Sequence, residues 1–229
     1  MFNRIMPTAW SFILLFCLTL VVGVGCNSAS SVRLSAASPS AETPIPSPTV
    51  RPLPPNASPQ LKQYLEAAIA QSKVTTGYDP AWVKINYPNG DVPPETGVCS
   101  DVVVRAFRKA GIDLQKEVHE DMQRAWAEYP KRWGARGTDT NIDHRRVLNL
   151  MTYLSRQRKS LPVTTERVDY LPGDVVAWEL TEGIEHIGIV TNLSSETTNN
   201  YLIVHNIGAG ARIEDVLISW KIIGHYRYF

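Results

Sequence analysis

The chain has 229 residues, 44% of them hydrophobic and 20% charged, with a formal net charge of +1. A balance this close to neutral excludes a nucleic-acid surface built on excess Lys and Arg, and a polybasic membrane patch. The three cysteines, Cys17, Cys26 and Cys99, are too few and too scattered for a disulfide framework or a cysteine-rich zinc site.

Residues 1–26 carry one charge, Arg4, and an apolar run from Trp10 to Val24. That run is shorter than the roughly 20 residues a spanning helix needs and suits a secretory leader. It ends in "GVGC", small residues before Cys26, which resembles the lipobox of bacterial lipoproteins. The resemblance implies lipidation of Cys26, which becomes the mature N-terminus; an uncleaved anchor and ordinary secretion are the alternatives. A membrane partner through this lipid, and a place in the cell envelope facing the periplasm or exterior, follow as expectations.

Residues 27–58 read as a disordered linker, because Asn27 to Pro59 holds eight prolines among Ser, Ala and Thr, and no core comes from that composition. Stretched as a Pro-rich tether, it spans up to about 100 Å. Of the charged residues only Arg4, Arg33, Glu42 and Arg51 precede Pro59, so residues 59–229 hold 20 basic and 21 acidic side chains. They suffice for one domain with its own core, expected to be monomeric.

Within the domain, apolar spacing predicts a helix over 59–73, with Pro59 at its start. "PAWVKINYPNGDVPP" predicts a short strand near Trp82 to Tyr87 and then a turn. Val102, Val103, Ala106, Phe107 and Ala110 share one face of a helix over 99–109, closed by Gly111. Further helices are expected over 115–134 and 142–158. After "YLPGD" the runs "VVAWEL", "HIGIVTNL", "YLIVHNI", "ARIEDVL" and "IGHYRYF" predict an antiparallel sheet, making the class α+β. Trp126, Trp133 and Trp178 read as core.

Cys99 then stands alone in the first turn of a helix. Free N–H groups and aligned peptide dipoles there stabilise a thiolate, and the thiol pKa is expected to fall. Backbone N–H groups at Cys99 and Ser100 are the natural oxyanion donors. A burial role as a small hydrophobe is the competing reading. A base has to come from elsewhere in the chain. His186 opens the strand "HIGIV", and His205 lies near the end of the next strand, a relation antiparallel pairing brings together. Asn206 is the other candidate for the third position. His119, His144 and His225, each by itself, read as surface or packing residues, and no ligand spacing supports a metal. In "NIDHRRV", Asn141 or Asp143 reads as a helix cap with solvated charges after it. Alternatively an arginine of this run forms a bidentate grip on a substrate carboxylate, with Asp143, His144 and Arg145 as substrate-binding residues. Tyr87, Asn89 and Asp91 are expected to line the same cleft.

"GVCSDVV", "GDVVAW", "HIGIV" and "IVHNIGAG", in this order, resemble the pattern of NlpC-like cell-wall cysteine peptidases, a papain-like family. "YPNGDVPPETGVCSDVVVRAFR", "VHEDM", "NIDHRRVLNL" and "GHYRY" extend a closer resemblance, over about residues 75–229, to the bacterial family known as domain of unknown function 1287. The resemblance implies a papain-like (NlpC-like) fold with N-terminal helices packed on a C-terminal antiparallel sheet. It also implies Cys99 as nucleophile, His186 as general base and then acid, and His205 as the group that orients it. The NlpC-like pattern has Asp-Cys-Ser-Gly where this chain has Val98-Cys99-Ser100-Asp101. The expected activity is hydrolysis of amide bonds in peptidoglycan stem peptides or cross-links, with neither cofactor nor metal. A cysteine acyltransferase or amidase on another acyl substrate, and a cell-wall binding module without catalysis, stand as alternatives.

Overall fold

The computed structural model describes residues 47–181 and 183–229; the leader, Cys26 and the first part of the linker lie outside them. The described part begins with a two-residue strand, β1 (Thr49–Val50), and α1 (Pro59–Ala70), extended by a 3-10 turn over Gln71–Lys73. Then come α2 (Cys99–Lys109), α3 (Leu114–Arg124), α4 (Val147–Arg156), β2 (Val175–Thr181), β3 (Ile184–Ser194), β4 (Tyr201–Asn206), β5 (Ala211–Glu214) and β6 (Lys221–Tyr226). Among the described residues no helix is long and apolar enough to cross a membrane.

The sheet runs β5-β4-β3-β2-β6, each pair of neighbours antiparallel, with β1 pairing the far end of β3. Alternation along the strands sorts side chains onto two faces. Val175, Ala177, Ile187, Ile189 and Val204 face the helices and join Val102, Val103, Ala106, Phe107 and Leu150 in the main core. Val176, Trp178, Val190 and Ile203 form a second cluster with Tyr170 and Leu217. Each of the larger side chains, fully buried, contributes about 1.5–3 kcal/mol, so the helical layer is fixed against the sheet by the α2 face that the apolar spacing marked.

Five expectations need correction. Residues 49–58 are not loose linker: Arg51 N–H donates to Asn192 O at 2.8 Å, continuing the β1 pairing, and Leu53 packs against the core. No strand forms at 82–87, because that segment is held by side chains instead: the exposed Trp82 indole donates to Asp139, and Ile85 N–H to Asn141 Oδ1. The helix expected to reach 134 ends at Arg124, where the chain turns so that Tyr129 Oη donates to Asp121 at 2.7 Å. The helix expected over 142–158 is divided at Arg146, whose extended backbone (φ −102°, ψ 119°) separates a 3-10 turn over Asp143–Arg145 from α4. Of the three tryptophans, Trp178 is fully buried and Trp126 packs on the core, but Trp133 is half exposed, in a turn with φ 57°.

Candidate active site

The start of α2 is built around Asp101. Its carboxylate accepts the Val98 N–H at 2.7 Å, capping the helix from the third position. The same carboxylate takes a two-pronged bond from Arg145, at 2.9 and 3.0 Å. Arg145 spends its remaining donors on Ala81 O and Asp79 O, and Ser100 Oγ donates to Arg145 O at 2.8 Å. The 143–145 turn and the 79–81 loop are thereby stitched to the cysteine's helix. Gly97, with φ 152°, belongs to this arrangement, since a Cβ there would lie 3.0 Å from Asp101 Oδ2. Asn206 secures the approach from the other side, donating to Gly77 O and Gly97 O at 3.1 and 3.0 Å.

Cys99 is a free cysteine, 6% exposed. The backbone N–H groups of Ile187, Ser100 and Cys99 itself lie close enough to the thiol to favour its thiolate. Ile187 reaches it because Val190, three residues on, bonds toward β2 through Gly173 and Asp174. Alternation therefore turns the Ile187 N–H toward β4. The registered β3–β4 pairs end at Ile189↔Val204, so that N–H lies at the margin where the strands part. Burial outweighs the three donors and pushes the thiol up to about 12, contrary to the fall expected at a helix start.

His186 precedes Ile187, and its Nε2 lies 2.8 Å from His205 Nδ1. His205 Nε2 lies 2.9 Å from Glu214 Oε2. A carboxylate only accepts, so His205 donates from Nε2 and its Nδ1 accepts. His186 then donates from Nε2, and its lone pair is left on Nδ1, the ring atom with no hydrogen-bond partner among the described residues. Both rings sit against Trp220, with centroids 5.9 and 6.0 Å from it. Burial, and secondarily the His205 charge, lowers His186 to about 3; burial also lowers His205, against the opposing pull of Glu214. Cys99 and His186 make no direct hydrogen bond, and Ile187, the residue after His186, is the one whose N–H favours the thiolate. At rest both are neutral.

Sequence reasoning missed Glu214 and the role of Asp101 in the scaffold. It paired His186 with the residue that the structure places beside it, His205, while Asn206 turns to the loop carbonyls. The cleft expected of the other candidates does not form as read. Cys99 lines a cavity of about 200 Å³ with Tyr78, Trp133, Arg145, Arg146 and Glu185. Tyr87, Asn89 and Asp91 are not among its walls: the Tyr87 ring sits 5.3 Å from that of His119, Asn89 N–H binds Asp113, and Asp91 pairs with Arg105 and Arg108. Neither Asn141 nor Asp143 caps α4. Asp143 holds His119 Nδ1 at 2.9 Å, and His144 is buried, its pKa lowered by burial to about 3. The Arg145 guanidinium is committed to Asp101 and is neither solvated nor free to bind substrate. Of the remaining histidines, His225 is buried on Asp174 at 2.8 Å. Among the described residues no three His, Cys, Asp or Glu side chains converge as a metal ion would require.

Fold and site together define an α+β domain that presents a buried cysteine at a helix start beside a hydrogen-bonded Glu–His–His chain. The protein belongs to the family described as Domain of unknown function (DUF1287), whose model matches residues 65–228. It is similar to the uncharacterized protein YijF of Escherichia coli (strain K12), with 52% identity over 164 residues that cover 72% of this chain and 80% of that protein.

Proposed function

We propose that this protein is a papain-like cysteine hydrolase that cleaves amide bonds, acting as a lipid-anchored envelope protein on peptidoglycan stem peptides or cross-links. The observation that carries the reading is the direction of the Glu214–His205–His186 chain, which leaves an accepting lone pair on His186 Nδ1, one residue from Ile187, whose N–H favours the Cys99 thiolate. The leader and the "GVGC" motif support the compartment and hence the substrate.

In this mechanism the Cys99 proton passes to His186 Nδ1 as the sulfur attacks the amide carbon. A thiol held at about 12 is not a standing thiolate at neutral pH, so proton transfer accompanies the attack. Closing the gap between sulfur and imidazole belongs to substrate binding, as apo catalytic hydrogen bonds tighten in the complex. The negative oxygen is received by N–H groups at Cys99 and Ser100, a contribution of about 2.7–4 kcal/mol per donor. His186 returns the proton to the leaving amine, and water, deprotonated by the same ring, releases the acyl group from the sulfur.

The test is incubation of the purified protein with cell-wall fragments, followed by mass spectrometry. New termini generated by the wild type and absent with Cys99→Ser, folded by circular dichroism, are expected. Fragments left intact by the wild type, or cut equally by Cys99→Ser, would end the hydrolase reading.

A further inference from the structure

Two arginines, Arg145 and Arg146, line the cavity that holds Cys99, and a third, Arg132, reaches Glu185 in its wall. Arg132 pairs with Glu185 at the rim, and Arg145 is locked onto Asp101. Arg146 has, among the described residues, no carboxylate partner, and the face of Trp133 lies 4.6 Å from its guanidinium carbon. It is half-buried and forms a wall of the Cys99 cavity and of a second cavity, also about 200 Å³, on the other side of Trp133. The carboxylates in that second cavity are already engaged, Asp139 by Trp82 and Asn141, Asp143 by His119 and the Asp139 N–H.

Arg146 also occupies a position that stability alone does not favour. It is the N-cap of α4, where an acceptor side chain is preferred and a cation opposes the helix dipole. No side chain caps that helix, and Val147, its first residue, lines the Cys99 cavity too. Burial and the neighbouring Arg145 charge both work against the Arg146 cation. An anion in the cavity would relieve each of these costs, and a planar carboxylate matches the guanidinium fork.

We propose that Arg146, backed by Trp133, binds a substrate carboxylate beside the amide presented to Cys99, so that the site takes peptides with a free carboxylate next to the scissile bond. The substrate class rests on the hydrolase reading; the carboxylate site does not. Two measurements test it without turnover. The first compares alkylation of Cys99 by iodoacetate, an anion, and by iodoacetamide, its neutral counterpart, read by peptide mass in wild type, Arg146→Lys and Arg146→Gln. The iodoacetate-to-iodoacetamide rate ratio is expected to fall about tenfold in Arg146→Gln and less in Arg146→Lys. The second is calorimetric binding of trialanine and trialanine amide to the full-length Cys99→Ala protein. The free acid is expected to bind at least tenfold tighter, and Arg146→Gln in that background should erase the difference. An unchanged alkylation ratio in Arg146→Gln, or equal affinity for acid and amide before Arg146 is altered, overturns the proposal. Failure of wall hydrolysis with both preferences intact would sink the hydrolase reading alone.

Discussion

Glu214 is the residue whose replacement tests the proton chain most directly. Its carboxylate sits 2.9 Å from His205 Nε2 and sets the polarity of the two hydrogen bonds that follow. A hydrogen bond to a charged group contributes about 1.5–3 kcal/mol. The Glu214 side chain is 41% exposed, so solvent screening reduces this to about 1 kcal/mol. Glu214→Gln keeps an accepting oxygen and should slow proton removal from Cys99 by roughly fivefold. Glu214→Ala also frees His205 to donate from Nδ1, which reverses the chain and presents an N–H at His186 Nδ1; a loss of roughly tenfold or more is expected. The assay is the second-order rate of iodoacetamide modification of Cys99 at pH 7, read by peptide mass, with His205→Ala as reference, where a loss of at least about tenfold is expected. Glu214→Ala and His205→Ala should not add when combined, because both act on one chain. Wild-type rates in Glu214→Ala, or full additivity in the double variant, would refute the relay.

Two further outcomes follow from buried charge. Asp101→Ala leaves the 2%-exposed Arg145 side chain without its carboxylate, and an unfolding midpoint lowered by about 3–5 kcal/mol of stability is expected in urea titration; a change below about 1 kcal/mol would mean the pair does not hold the α2 start. His186 and His144 have folded-state values depressed to about 3 against an unfolded value of 6.5, so the unfolded chain binds more protons between those limits. Stability should therefore be flat above pH 6.5 and fall as pH drops toward 3, and His144→Leu should flatten that acid limb; an unaltered limb in the variant would clear His144 of the effect.

The α2 boundaries and its buried face were legible because apolar spacing, a small loop and Gly111 coincide within a dozen residues. The five strands after Asp174 were legible for a similar reason: each is short, β-branched and bounded by turn residues. The His186–His205 contact needed only the assumption that consecutive strands pair. Glu214 required more, because its place diagonal to His205 depends on the β4–β5 register, in which His205 faces Arg212. Nothing in "ARIEDVL" distinguishes it from Asp215, which instead binds Arg167. Arg145 and Arg146 are likewise adjacent and alike; the backbone break at Arg146 sends one into an ion pair and the other to the cavity. The thiol pKa was misread in sign because a helix start is local information and burial is not.

The strand at Thr49–Val50 fixes where the described chain enters the sheet. It joins β3 at Leu193 and Ser194, whereas Ile187, whose N–H favours the Cys99 thiolate, lies nearer the start of the same strand. At ~3.3 Å per residue these points are about 23 Å apart. The chain thus enters the domain at the end of β3 remote from the cysteine, and the entry point is riveted by Arg51 and Asn192 rather than swivelling on a loose hinge. A pull on this segment would be borne by β3, the central strand of the sheet, on which α2 packs.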